Sequence, residues 1–350
     1  MAPLRSLGNI RSAFDDFYAR TGKDAAGPEP PPLINSPITA TGGDSTLTIT
    51  GYKVHIYTTT GPATLNVSSG GGEVEYLVVA GGGSGSAQYG GGGGAGGLRT
   101  NLSGHPLAGD PVNVQPGNTT VVVGAGGQYA TPPAMPGVAG GNSSIDPNSP
   151  QRNALQGTGT ITATGGGGGG APGEQPNPWG TSTNGGPGGS GGGGAGRTGP
   201  NAPNYTGGAG NAGGYNPVEG YAGGDGQAPG DRCGGGGGGA GAVGEDAPSV
   251  RGGNGGVGVQ CLIAGNPSPI GTPGPSGDGW FAGGGGGGGY NVDPGSGGAG
   301  GGANSGSIPS PAGGNGTANT GGGGGGGFHP GATTGGNGGS GIVVIRYPTS

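Results

Sequence analysis

The sequence has little of the material from which most folded proteins build a core. Of its 350 residues, 8% are charged and 5% are aromatic, and Leu, Ile, Val and Phe together number 46. An ordinary packed domain of this length carries many more aliphatic side chains. A conventional hydrophobic core therefore cannot extend through the whole chain.

Cysteines, basic residues and long apolar runs are all scarce, and each scarcity excludes a further class of protein. Cys233 and Cys261 have no Cys-x-x-Cys spacing, so they indicate neither a disulfide scaffold nor a zinc site; we expect two ordinary thiols, and the alternative is one incidental bridge. Eleven basic residues against 17 acidic ones predict no nucleic-acid partner. No apolar run approaches the roughly 20 residues of a membrane helix, and residues 1–30 lack a signal-peptide pattern. Neither membrane insertion nor Sec-type export is expected.

Glycine is what the sequence has in excess: 108 residues are Gly and a further 33 are Pro. Both residues disfavour helices and central strands. Low apolar content is half of the signature of disorder, but the other half is missing because the net charge is only -6. Disorder is therefore possible without being implied.

The first 37 residues divide into a helix candidate and a spacer. Ile10, Ala13, Phe14 and Phe17 repeat at i, i+3, i+4 and i+7, which predicts a short amphipathic helix within residues 1–26. So short a helix needs a surface to lie against, either its own protein or another subunit. The Pro-rich spacer at 27–37 favours an anchor to another subunit, because it separates the helix from the rest.

Residues 38–164 carry most of the strand pattern. Short apolar and β-branched runs at 47–50, 52–58, 64–68, 74–80, 119–124 and 159–164 are punctuated by Gly-rich turns, which predicts an antiparallel meander. Alternation in 52–57 predicts a half-exposed strand with Tyr52, Val54 and Ile56 on one face. Leu77, Val78 and Val79 are apolar on both faces, which predicts a buried central strand.

Residues 165–350 form a glycine-rich body closed by a C-terminal strand. Glycine runs at 165–170, 191–194, 234–239, 283–289 and 321–327 have no Gly-X-Y period, which excludes collagen. Their backbones can lie side by side as polyglycine II helices that bond to one another; the alternative is a flexible linker. The predicted fold class is mainly β and irregular: a small antiparallel β layer joined to a bundle of polyglycine II helices, with one short N-terminal α-helix.

Three motifs carry a resemblance to a known family. The segments Tyr52–Tyr57, Val74–Gly83 and Gly338–Tyr347, with Gly tracts between them, resemble the glycine-rich domain of tailed-bacteriophage virion proteins, tail fibres and adhesins among them. The resemblance covers roughly residues 45–347. It implies packed polyglycine helices and loops at the far end of the domain that contact the host surface.

The sequence offers no pattern for catalysis. We expect no catalytic residue, no metal site and no cofactor: the histidines are scattered, no phosphate-binding loop is present, and Gly-x-Gly-x-x-Gly matches arise by chance at this glycine content. Aromatic residues in the loops between tracts are candidates for receptor contact, or alternatively cap the sides of the glycine bundle. The loop aromatics are Trp179, Tyr205, Tyr215, Tyr221, Trp280, Phe281, Tyr290 and Phe328, of which the first six are selected as the candidates for receptor contact.

These observations together predict a non-enzymatic structural protein of a phage particle. It would be a tail or capsid fibre or adhesin attached to other virion subunits through Ile10, Ala13, Phe14 and Phe17. The resemblance to such fibres, which are usually trimeric, implies a homotrimer. Its loops would meet a glycan or protein of the host surface. The alternative is a glycine-rich surface or cell-wall protein of a bacterium.

Overall fold

The computed structural model describes residues 36–129, 136–148, 159–172, 184–196, 205–227, 232–329 and 334–349. All regular secondary structure in these ranges is β-strand. The predicted fold class was wrong as stated: the described residues contain no α-helix, and the β part is a curled ten-stranded antiparallel sheet rather than a small layer. The predicted helix, with Ile10, Ala13, Phe14 and Phe17, lies outside the described residues.

The large sheet runs in the order β2-β3-β13-β4-β7-β8-β9, and β1, β5 and β6 also pair with β4. A second, three-stranded sheet has the order β10-β12-β11. The strands are β1 Ser36–Thr41, β2 Ser45–Ile49, β3 Tyr52–Tyr57, β4 Gly61–Val79, β5 Leu98–Thr100, β6 Val112–Val114, β7 Gly117–Val123, β8 Ser143–Asp146, β9 Ile161–Ala163, β10 Val259–Gln260, β11 Thr272–Gly274, β12 Gly277–Phe281 and β13 Ile342–Pro348.

The curl of the sheet follows from β4, which is 19 residues long and pairs with different partners in its two halves. Its first half pairs with β7 and its second half with β13. The sequence predicts a turn at 69–72 that splits this strand, and that prediction was wrong. Gly70 and Gly72 adopt positive φ there (74° and 137°), so the chain bends within one continuous strand.

Both faces of the central strands are buried. On one face, the inside of the curl holds Tyr57, Leu65, Val78, Ile145 and Tyr347 among others. On the other face, Val54, Ile56 and Leu77 pack against the three-stranded sheet and the first glycine segments. Strand β3 is therefore buried on both sides over 54–57, not half exposed. Leu77, Val78 and Val79 are inside, as predicted.

Beyond the sheet, glycine segments lie side by side and are joined by backbone hydrogen bonds. We call this region the glycine lattice; its segments are 80–86, 90–97, 124–127, 137–142, 165–170, 185–188, 190–196, 205–210, 221–226, 233–240, 244–247, 252–258, 282–289, 295–298, 302–306, 312–317, 321–328 and 335–341. Strands β4, β7 and β9 run directly into lattice segments, and segments run directly into β5, β8 and β13. The lattice is therefore continuous with one end of the sheet.

The segment 90–97 shows how the lattice is bonded. Its N–H groups donate in turn to three neighbours, with a period of three residues: Gly91 and Gly94 donate to Gly170 and Gly167, Gly92 and Ala95 to Gly235 and Gly238, and Gly93 and Gly96 to Gly324 and Gly321, at 2.8–3.1 Å. Its carbonyls accept from three other segments, 80–86, 190–193 and 285–288. Three residues per turn is the period of an extended helix without internal hydrogen bonds. Each interior segment is thus bonded on six sides.

Close packing explains why these positions are glycine. A Cβ built on Gly286 would lie only 2.5 Å from the carbonyl carbon of Gly295 and still closer to its oxygen. The same overlap with neighbouring backbone occurs at Gly92, Gly193 and Gly237. Real Cβ atoms do not approach backbone so closely, so the columns can be bonded at these distances only where side chains are missing.

Candidate functional site

The lattice has two ends that differ in what they carry. At the sheet end, its segments join the strands or are connected to one another by loops such as 211–220 and 241–243. At the far end, the segments are connected by loops, of which 87–89, 248–251, 290–294 and 307–311 are fully described. Because the hydrogen-bonded columns separate the two ends, the far-end loops form a surface held away from the sheet. A rigid scaffold that presents loops in this way is a common arrangement for recognition.

A cluster of one cationic and three ring side chains lies at the far end; we call it the far-end cluster. The rings of Tyr290 and His329 stack with centroids 5.0 Å apart at 15°. Tyr89 meets both rings edge-on, at 6.4 and 5.8 Å. The guanidinium carbon of Arg232 lies 5.2 Å from the ring centroid of Tyr290 and 5.7 Å from that of Tyr89.

Four different lattice segments position this cluster. Tyr89 precedes segment 90–97, Arg232 precedes 233–240, Tyr290 follows 282–289, and His329 follows 321–328. The His329 N–H donates to the Gly289 carbonyl at 3.0 Å, and the Asn291 N–H donates to the His329 carbonyl at 3.2 Å. The side chains therefore meet only because the columns that carry them are neighbours in the lattice.

The far-end cluster combines positive charge with aromatic rings, two of which are partly exposed. Tyr89 is 2% exposed, whereas Arg232, Tyr290 and His329 are partly exposed. No hydrogen-bond partner for the Nδ1 atom of His329, which is buried, is present among the described residues. A guanidinium over aromatic rings supplies positive charge next to an apolar surface, a combination that recognises aromatic, carbohydrate or anionic groups.

The structure does not bring the six predicted contact residues together. Tyr205 lies at the far end but is only 6% exposed, and Trp179 lies outside the described residues. Tyr215 and Tyr221 lie toward the sheet end, where the Arg99 guanidinium covers the Tyr215 ring at 4.1 Å. Trp280 and Phe281 belong to β12 in the small sheet.

Two of these aromatic residues pack against other parts of the fold. Phe281 is fully buried between the small sheet and the central strands. The indole ring of Trp280 packs where a side chain on Gly274 would otherwise sit, and its buried Nε1 has no partner among the described residues. Sequence reasoning took both as loop residues because a glycine run follows them directly.

Two carboxylates near the sheet end are bonded to other parts of the fold. Glu219 is fully buried, and its carboxylate accepts the N–H groups of Thr164 at 2.8 Å and Gly213 at 3.2 Å. Glu75 forms an ion pair with Arg346 at 2.7 Å. These carboxylates join segments of the fold, and neither lies beside a second catalytic group in the contacts described here.

The cysteines and metal ligands give no reactive centre in the described part of the chain. Cys233 and Cys261 are buried, and neither forms a disulfide. Burial raises the pKa of the Cys261 thiol to about 11, so it stays protonated at neutral pH. Within the described residues there is no group of three His, Cys, Asp or Glu that could hold a metal ion, and no helix long and apolar enough to cross a membrane.

The outer surface of the lattice carries a second feature, which sequence reasoning missed. Asn and Asp side chains on outer segments accept backbone N–H groups of the next segment, and we call this row the perimeter belt. Its bonds are Asn142 to Gly165, Asn184 to Thr206, Asp225 to Gly207, Asp246 to Asp225, Asn254 to Ser296, Asn304 to Gly297, Asn315 to Asn337 and Asn337 to Tyr129, at 2.7–3.2 Å.

The belt completes the bonding of outer segments. An outer column has no further column on its solvent side, and a short side-chain carbonyl takes the place of that missing backbone acceptor. The sequence contains a signal for it: Gly-Gly-Asn-Gly occurs at 252–255, 313–316 and 335–338, and Gly-Gly-Asp-Gly occurs at 223–226. A polar residue that interrupts a glycine run marks the side of the column that faces water.

One comparison with known proteins finds a match. A family model described as a glycine-rich domain matches residues 58–348, which is most of the chain and includes the sheet from β4 onward, the whole lattice and β13. No curated protein matches the sequence.

Proposed function

The chain belongs to the family of the glycine-rich domain, and on that premise we propose that it is a non-enzymatic structural protein that presents its far-end loops for attachment. The observation that carries the proposal is the separation of the two ends of the lattice. Strands and both described chain ends lie at one end, and loops with the far-end cluster lie at the other.

The rigidity of the lattice supports this role. Columns bonded on six sides cannot shift singly, because each shift breaks hydrogen bonds to several neighbours at once. Loops carried on such a body keep fixed positions relative to one another, which lowers the entropy lost when they bind a partner. The far-end cluster places a cation beside aromatic rings, a combination that binding surfaces use.

We propose that the protein is part of a phage particle because the β3, β4 and β13 motifs resemble those of tailed-phage virion proteins. On this proposal the protein is a tail or capsid fibre or adhesin, and a homotrimer. Residues 1–26 attach it to other virion subunits, and the far-end loops contact a glycan or protein on the host. Strand β1 begins at Ser36 on the large sheet, so an anchor before it would join the molecule opposite the loops.

The test compares two cation–ring pairs of the same type at opposite ends of the lattice. One variant combines Arg232→Ser with Tyr290→Ala at the far end; its matched control combines Arg99→Ser with Tyr215→Ala at the sheet end. Adsorption to host cells is measured for particles that carry each variant, after circular dichroism has shown that both are folded. We expect the far-end variant to lose about tenfold or more, as for central binding residues.

Other outcomes of this experiment would contradict the proposal. Equal adsorption by both variants and the parent would remove the far-end cluster from attachment. A loss confined to the sheet-end variant would favour the residues selected from sequence. In the same particles, deletion of residues 1–26 should leave a folded protein that is missing from purified virions, and normal incorporation would refute the anchor.

A further inference from the structure

The perimeter belt contains every Asn-Gly sequence of the chain. These are Asn184-Gly185, Asn254-Gly255, Asn315-Gly316 and Asn337-Gly338. In each of them the Asn side-chain oxygen accepts a backbone N–H from a neighbouring segment. Since Asn-Gly is the dipeptide that deamidates most readily in flexible chains, its use at these positions calls for a physical explanation.

Deamidation at Asn-Gly is an intramolecular reaction of two groups that the belt holds. The backbone nitrogen of the Gly attacks the side-chain carbonyl carbon of the Asn, a nitrogen–carbon bond forms, and the amide nitrogen leaves as ammonia with the proton from the Gly N–H. Water then opens the cyclic imide at either carbonyl to give aspartate or isoaspartate. The reaction needs the Gly N–H to be free and the side chain to turn back onto its own backbone.

The lattice prevents both movements at Asn254. Its Oδ1 accepts the Ser296 N–H at 2.9 Å, and the following Gly255 N–H donates to the Ser296 carbonyl at 2.8 Å. The electrophile and the nucleophile are therefore bonded to the same residue of the adjacent column. Each group is occupied by its own bond to that column, so the side chain cannot close onto the Gly255 nitrogen while both bonds are in place.

The other three sites are held in the same way. Asn184 and Gly185 bond to the N–H and C=O of Thr206 at 3.2 and 2.9 Å. Asn315 and Gly316 bond to those of Asn337 at 2.9 and 2.8 Å. At Asn337 the neighbouring column is antiparallel, so the two bonds go to Tyr129 and Gly127, at 2.7 and 2.9 Å.

We infer that the four Asn-Gly sequences are latent deamidation sites which the folded lattice keeps closed. Reaction requires a column to separate from its neighbour. Isoaspartate then inserts an extra methylene into a backbone whose bonds repeat every three residues, so a column that has reacted no longer fits. Opening followed by reaction is thus an irreversible route of ageing, and the belt sets its rate.

The experiment uses the full chain with an internal control. Ser276→Asn places an Asn before Gly277 at the turn of the β11–β12 hairpin, where both residues are exposed. Ser296→Pro removes the N–H that Asn254 accepts, and Ser296→Ala keeps it. Deamidation at each site is followed by peptide mass spectrometry during incubation at pH 8.5, with the chain in 8 M urea as the open reference.

We expect the hairpin site to react roughly ten- to a hundredfold faster than Asn254 in the folded protein, which is the factor for breaking two hydrogen bonds of ordinary net strength. In urea the sites should react at similar rates. Ser296→Pro should raise the rate at Asn254 alone, and Ser296→Ala should not. If Ser296→Pro unfolds the protein, deamidation accelerates at all four belt sites together. The comparison of Asn254 with the hairpin site in the folded protein then tests the inference.

Equal rates at Asn254 and at the hairpin site in the folded chain would overturn the inference. A rate at Asn254 that urea leaves unchanged would do the same, because the lattice would then provide no protection.

Discussion

Adding a single methyl group inside the lattice tests whether backbone packing holds this region together. In Gly286→Ala the new Cβ would overlap the carbonyl of Gly295 and lie 3.0 Å from the carbonyl carbon of Ser296. Both obstacles are backbone, so no side chain can rotate away. The column 295–298 must shift or segment 282–289 must rotate.

The cost follows from the bonds that such a shift breaks. The Gly295 N–H donates to the Gly287 carbonyl at 3.1 Å, and the Gly295 carbonyl accepts the Ser305 N–H at 3.0 Å. Losing two bonds costs about 1–3 kcal/mol, and each buried group left without a partner adds roughly 1–3 kcal/mol. Replacing Gly by Ala regains about 0.4–1 kcal/mol from the unfolded chain. We expect a net destabilisation of about 2–4 kcal/mol.

The measurement is the free energy of unfolding from urea denaturation, with Gly159→Ala as the matched control. A Cβ on Gly159 meets nothing within 4 Å, and the residue is exposed. The control should be neutral or stabilised by up to about 1 kcal/mol. If Gly286→Ala and Gly159→Ala change the stability equally, the lattice is not what stabilises the fold.

Two further predictions concern the edge of the lattice and the sheet. Asn304→Ala should destabilise by about 0.5–1.5 kcal/mol because the Gly297 N–H loses its acceptor at 2.8 Å, whereas Asn304→Asp keeps an acceptor oxygen; thermal unfolding of the two variants separates these outcomes, and equal losses would contradict the role of the belt. Burial lowers the pKa of both His55 and His105, so the unfolded chain binds more protons than the folded protein below about pH 6.5. The free energy of unfolding should keep the full contribution of both histidines above that pH and fall as the pH is lowered, by at most about 1.4 kcal/mol per pH unit for each histidine. Urea titrations between pH 7.5 and 5.5 check this, and a free energy of unfolding that does not change with pH would refute it.

The histidines also show what a sequence pattern leaves undecided. His55 occupies a position of β3 that sequence alternation places away from the Tyr52, Val54 and Ile56 face. In the fold it is buried, its Nδ1 donates to the Gly42 carbonyl at 2.7 Å, and its Nε2 accepts from the Tyr347 hydroxyl at 3.1 Å. Tyr347 is 292 positions away, so no local pattern predicts that partner. The same is true of the fusion of two predicted strands into β4.

The candidate site was likewise predictable from the sequence only in part. Aromatic residues beside glycine runs are visible in the sequence, and six were selected from it. The sequence does not show at which end of a column each residue lies, because a glycine run has no side chains to mark its direction or its neighbours. Tyr290 and His329 become partners only through the pairing of the columns that carry them. The structure therefore places the cluster on residues outside the selected six.

By itself, the sequence determined that side-chain burial could stabilise only a small part of this protein. Its strands at 52–57, 74–79 and 342–348 supply the aliphatic residues of one sheet, and glycine in the remainder leaves backbone hydrogen bonding as the available interaction. Tertiary structure alone decided which column lies beside which, where the chain bends, and which side chains meet at the far end. The physical reason is that glycine columns are nearly identical in their bonding groups. Their order is set by the loops, the belt and the strands to which they are joined.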